Sequence, residues 1–144
     1  MPYLHTSQLR VFLFALCACC LSAATGCSPK ISDGSIANIA VSDSASRHAS
    51  DRTRTVFVDA RSAAEYTERR IPGAIRIDLR TFDAQSPPAA LRSAREIIVY
   101  GQDPGSATAI ALTKRLMQAG YSRVYLMRDG MNGWVARSLP TQSG

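Results

Sequence analysis

Beyond residue 54 the chain carries three short apolar runs that lack the polar alternation of a half-exposed strand. Thr55-Val56-Phe57-Val58-Asp59 is β-branched and aromatic, the pattern expected of a strand buried on both faces and therefore of a parallel sheet. Ile97-Ile98-Val99-Tyr100 and Val124-Tyr125-Leu126-Met127 repeat it, and the Ile71-Pro72-Gly73-Ala74 turn leads into a further predicted strand, Ile75 to Leu79. Between these runs the period changes. Ser62 with Glu65 three residues on forms a capping box that opens a short helix, and Pro87-Pro88 precedes a predicted helix near Ala89 to Ala94. From Gly105 to Ala119, Ile110, Leu112, Leu116 and Met117 lie on one helical stripe, which Gly120 ends as the left-handed C′ residue. Asp103 as N-cap with Pro104 at the first helical position suits the start of that helix. Asp129-Gly130 turns the chain into a last short helix carrying Trp134. Strands alternating with helices predict a small three-layer α/β sandwich around a central, mostly parallel sheet with right-handed crossovers.

The amino-terminal third follows a different pattern. Residues 1–10 are polar with one certain charge, Arg10, and an apolar run follows from Val11 to Leu21. This is the order of a secretory leader, and its apolar part is shorter than the roughly 20 residues that span a bilayer. Leu21-Ser22-Ala23-Ala24-Thr25-Gly26-Cys27 resembles a bacterial lipobox, except that Ala24 stands where leucine is usual. The resemblance implies a signal peptide over 1–26 and a lipid on Cys27. Ordinary cleavage near Ala24 and an uncleaved anchor are the alternatives. All three readings place the domain in the cell envelope, facing the periplasm, on a membrane whose identity stays open.

Ser28 to Thr53 is rich in Ser, Asp, Ala and Arg and is read as a flexible tether. Such a segment extends at most roughly 90 Å. Within it, Ser35 to Val41 is apolar enough to form a short edge strand or helix instead. The expected division is therefore leader 1–26, lipidated tether 27–53, domain 54–140 and tail 141–144.

Charge and cysteine content narrow the function. Formal net charge is +6, but basic and acidic residues are interleaved, without the one-sided patch and aromatic platforms of a nucleic-acid binder. All four cysteines, Cys17, Cys19, Cys20 and Cys27, precede residue 28, and the two histidines are His5 and His48. Neither a disulfide framework nor a protein metal site is expected from that distribution.

Val58-Asp59-Ala60-Arg61 with Glu65-Tyr66, Ile71-Pro72-Gly73-Ala74, and Gly120-Tyr121 through Asp129-Gly130-Met131-Asn132-Gly133-Trp134, taken in this order, resemble the rhodanese homology domain. In catalytic members of that family the strand equivalent to Ile97 to Tyr100 delivers a cysteine onto a tight loop, whose amides lower the thiol pKa and stabilise a persulfide. The resemblance puts Gly101 at the nucleophile's place. It also implies that Gly101-Gln102-Asp103-Pro104-Gly105-Ser106 is a degenerate loop, about two residues longer than the common form, lacking the arginine often found near its end. This loop is either a plain strand-to-helix connection or a surviving anion pocket built on the Gly101, Gly105 and Ser106 amides. Arg69-Arg70 stands where the family usually has Gly-His.

Asp59 and Arg61 are read as an ion pair or cap, Gly130 as a turn residue, and Trp134 and Tyr66 as packing residues. Arg69, Arg70, Arg76 and Arg80 are read as a solvated face or a partner surface. The expectation is a membrane-tethered, non-catalytic binding or regulatory module that contacts an envelope protein or a small anion and needs no cofactor. The alternative is a sulfurtransferase that uses Cys27 or a partner's thiol.

Overall fold

The computed structural model describes residues 30–144. The leader, Cys27 and the first tether residues lie outside them. Five strands, β1 Ala37–Asn38, β2 Thr55–Asp59, β3 Ile75–Arg76, β4 Glu96–Tyr100 and β5 Val124–Met127, form one parallel sheet in the order β1-β5-β4-β2-β3. The helices are α1 Val41–Ser50, α2 Ala63–Glu68, α3 Ala89–Arg92, α4 Ala107–Gln118 and α5 Gly130–Ala136. Every residue of β2 and β4 is buried, because successive side chains feed opposite layers. Val56, Val58, Ile97, Val99 and Leu126 meet Leu91 of α3 and Leu112 and Leu116 of α4. Phe57, Ile98, Tyr100 and Met127 meet Val41 of α1 and Met131 and Trp134 of α5. The expected α/β sandwich is the fold.

The local signals mostly act where they stand. Ser62 Oγ accepts from the Glu65 amide while the Glu65 carboxylate accepts from the Ser62 amide, closing the capping box. Gly120, at φ +95°, ends α4: its amide reaches Met117 O and that of Tyr121 reaches Leu116 O, the paired bonds of a Schellman motif.

Three expectations need correction. The start of α4 is capped by Ser106, whose hydroxyl accepts from the Ala109 amide, and not by Asp103. Gly105 at φ +97° breaks the helical path between the two, so Asp103-Pro104 belongs to a preceding turn. Strand β3 stops at Arg76 instead of Leu79, because Asp78 bends the chain by accepting from the Arg80 amide at 3.0 Å.

The tether reading fails over most of its described part. Ile36 and Ile39 are buried, β1 adds an edge strand beside β5, and α1 packs on the sheet through Val41 and Ser44. Ser44 resembles a linker residue in the sequence, yet its hydroxyl donates to Ala40 O and needs no water. Arg47 then lies over the Tyr125 ring and pairs with the buried Glu96, which also holds Arg123.

His48, in the last turn of α1, is half-buried against Phe57, with ring centroids 5.0 Å apart. Burial holds its pKa below the ordinary value of 6.5. The folded state thus binds this proton less readily than the unfolded chain, so its contribution is complete above pH 6.5 and is lost as pH falls. Melting temperature is expected to decline between pH 6.5 and 5 in the native chain and to be flatter in His48→Gln over that window.

Candidate functional site

The chain leaves β2 toward one edge of the sheet, through α2 into β3, and leaves β4 toward the other, through α4 into β5. Strand order therefore reverses between β2 and β4, and ligand crevices in open parallel sheets form at the carboxyl ends of such a pair. Here the two strand ends supply Asp59 to Ser62 and Gly101 to Ser106.

Asp59 is fully buried and accepts from the Arg61 amide at 2.9 Å, from Arg61 Nε at 3.0 Å and from Arg61 Nη2 at 2.7 Å. Burial works against the Arg61 charge, and the hydrogen bonds and charge of Asp59 outweigh it, leaving the guanidinium pKa above its usual value. The same guanidinium donates to Arg69 O at 2.5 Å and to Gln102 Oε1 at 2.8 Å. Gln102 Nε2 continues the chain to Asn132 Oδ1 at 2.7 Å. Arg61 thus fixes three elements, and Nε and both Nη atoms each donate to a protein acceptor. Beneath it, the Tyr100 hydroxyl accepts from the Ile71 amide, and burial followed by the Asp59 charge pushes its pKa upward.

The loop after β4 is closed from two sides. The α5 amides of Met131 and Asn132 donate to Gly101 O and Gln102 O, each at 2.9 Å. Gly130 makes this approach possible, since a Cβ there would lie 2.7 Å from Gly101 O and 2.8 Å from Asp103 N. On the other side, the Ser106 side chain occupies the space that a Cβ on Gly101 would enter, with Ala109 Cβ only 3.2 Å from that point. The space bounded by Gly101, Gly105, Ser106 and Ala109 is too small for a water molecule. The anion pocket considered on those residues has no cavity in this conformation.

Open crevices flank the closed loop. One, of about 510 Å³, lies among Arg61, Glu65, Arg69, Gln102, Asn132 and the half-exposed Val135. The other, of about 590 Å³, lies among Arg61, Ser62, Arg76, Asp78, Arg80 and Ser106. Their arginines are interleaved with carboxylates. Asp78 takes both Arg76 and Arg80, and its pKa is held down at about 2, chiefly by hydrogen bonds from Arg80. Of the four arginines read as one surface, Arg69, Arg76 and Arg80 border these crevices, whereas Arg70 lies over the Tyr66 ring and donates to Gly144 O. Among the described residues no group of His, Cys, Asp and Glu gathers as a metal site would require.

Sequence reasoning missed the role of Gln102 and Asn132, whose link spans residues far apart in the chain. It also missed a third cavity of about 410 Å³, lined by Ala45, His48, Arg52, Pro72, Trp134 and Leu139. Trp134 is buried, meets Phe57 edge to face at 5.4 Å and donates from Nε1 to Pro140 O. It is thus both a core residue and one wall of that cavity.

A protein of Allochromatium vinosum described as a sulfurtransferase is 27% identical over 99 residues, covering 69% of this chain and 89% of its own. A crystal structure of a Bacillus halodurans protein superposes with a TM-score of 0.66 at 21% identity, covering 74% of this chain and 77% of its own. The rhodanese-like domain of an Anabaena protein gives a TM-score of 0.57 at 19% identity, with coverages of 74% and 79%. Residues 43–137 match the Rhodanese-like domain family, and the chain belongs to that family.

Proposed function

We propose that the chain is a membrane-tethered rhodanese-like domain without sulfurtransferase activity of its own, serving as a binding or regulatory module in the cell envelope. The observation that carries this reading is the filled space at Gly101. A cysteine at the end of β4 would be the family's nucleophile, residues 28–144 contain none, and the Ser106 side chain stands where its Cβ would go. The fixed bonding of Arg61, Gln102 and Asn132 leaves the loop as a rigid wall between two open crevices, a surface suited to holding an envelope protein segment or a small anion. Cys27 as a lipid attachment point supplies the tether, and a lipidated Cys27 has its sulfur in a thioether and cannot act as a nucleophile.

The name of the Allochromatium vinosum relative supports a second reading, sulfur transfer through Cys27 or a partner's thiol. Two measurements separate the readings. Thiosulfate to cyanide sulfur transfer by the full chain is expected at the buffer rate, and turnover well above it sinks the first reading. Mass spectrometry of the mature protein is expected to find diacylglycerol on Cys27; a free thiol there reopens the second. Gly101→Cys is expected to give no persulfide on cyanolysis and to lose about 1–3 kcal/mol of stability through overpacking against Ser106.

A further inference from the structure

At the amino ends of the strands, opposite the crevices, the register brings cations together. Arg54, Arg95 and Arg123 immediately precede β2, β4 and β5, and backbone bonds from Arg95 N to Arg54 O at 2.8 Å and from Ile97 N to Arg123 O at 2.9 Å set them side by side. Adjacent parallel strands lie about 4.8 Å apart, so three exposed guanidinium groups start from one short row. Arg52, before β2, and Arg92, in the last turn of α3, are exposed on the same edge. The nearby carboxylates are already engaged: Asp51 with Arg54, and Glu96 with Arg47 and Arg123. Arg52, Arg92 and Arg95 have no carboxylate partner among the described residues.

The shape of this edge narrows what it fits. Arg92, Arg95 and Arg123 line one cleft of about 240 Å³ together with Tyr121 and Ser122, large enough for a phosphate group and its ester substituent. Arg52 stands at the rim of the apolar cavity walled by Trp134 and Leu139. Cations beside an apolar recess match a layer of anionic headgroups above acyl chains, and the cleft carries one aromatic side chain, Tyr121, where a nucleic acid would call for a series of aromatic platforms between the cations. Eight residues separate Cys27 from the buried Ile36, a reach of at most roughly 30 Å, which keeps the domain close to whatever holds that cysteine.

We propose that the amino edge of the sheet, built on Arg52, Arg54, Arg92, Arg95 and Arg123, docks on a membrane surface carrying anionic phospholipids. The tethered reading is used here only for the nearness of a bilayer. Docking would hold the crevices at the opposite end of the sheet away from the headgroups and open to partners.

The test is partition of the full chain onto vesicles of phosphatidylcholine alone and onto vesicles half phosphatidylglycerol. The native chain is expected to prefer the anionic vesicles, with the preference fading as salt rises. Arg52→Gln/Arg92→Gln/Arg95→Gln is expected to lower binding to anionic vesicles roughly a hundredfold, at about fivefold per arginine near a charged surface. Arg80→Gln/Arg128→Gln/Arg137→Gln removes equal charge elsewhere and is expected to retain most of the binding. Equal losses in both triple variants overturn the proposal, since net charge alone would then suffice. Equal binding of the native chain to both vesicle types overturns it while leaving the tether standing, and binding to neither overturns both. Circular dichroism of each variant checks that the fold is retained.

Discussion

Arg61→Met is expected to cost about 3–5 kcal/mol, because it leaves the fully buried Asp59 carboxylate without its cation. A domain of this size has roughly 5–15 kcal/mol of stability in all, so the variant should unfold at a much lower urea concentration. The loss has two sources. One is the charge of Asp59, which no longer meets Nε and Nη2 of Arg61; the other is release of Arg69 O and Gln102 Oε1, which the same guanidinium holds. Asp59→Leu/Arg61→Met separates them. With no carboxylate left to strand, the double variant should recover a large part of the loss and keep only the cost of freeing the loop. If the single and double variants are equally unstable, the ion pair is not what makes Arg61 indispensable.

Gly130→Ala is expected to cost about 2–4 kcal/mol, the sum of left-handed backbone strain and overpacking. Gly130 has φ +60°, and its added methyl would lie 2.7 to 2.8 Å from backbone atoms of Gly101, Gln102 and Asp103, which cannot rotate away as a side chain can. Relief requires α5 to retreat, which breaks the bonds from the Met131 and Asn132 amides to the loop. Gly105→Ala isolates the strain. Its φ is +97° and nothing lies within 4 Å of the added atom, so it should cost about 1–2 kcal/mol. Urea titration followed by the emission of Trp134, the single tryptophan, measures both. Equal losses would mean that the close approach at Gly130 adds nothing.

The sequence was informative where one residue type meets one local demand. The buried runs at 55–59 and 97–100, the Ser62 and Glu65 capping box and Gly120 each state their structure through steric or hydrogen-bonding requirements confined to a few residues. Helix α1 was hidden because its buried side rests on Val41, Ser44, Arg47 and His48, only one of them strongly apolar. Its packing depends on Glu96 and Tyr125, distant in the chain, so no window of sequence contains the reason for it. At the candidate site the same limit applies. The absence of cysteine was plain, and so was the position of Gly101 after a strand. The Ser106 side chain filling the space at Gly101 depended on where the turn at Gly105 would end, and the fixing of Gln102 by Arg61 and Asn132 on three separate elements.

The contact between Gly101 and Ser106 also constrains how this domain could change over generations. Two of the four glycine codons become cysteine codons by one nucleotide substitution, so from either of them a sulfur nucleophile at position 101 lies a single mutation away in the genetic code. It is further away in structure, because the new side chain would enter space that the Ser106 side chain holds. A lineage regaining a thiol here would pass more easily through a smaller residue at 106 first, a step that removes the cap of α4 and costs about 1 kcal/mol before any benefit appears. The order of the two substitutions is thereby biased, and a chain with stability to spare could take that path more readily than a marginal one.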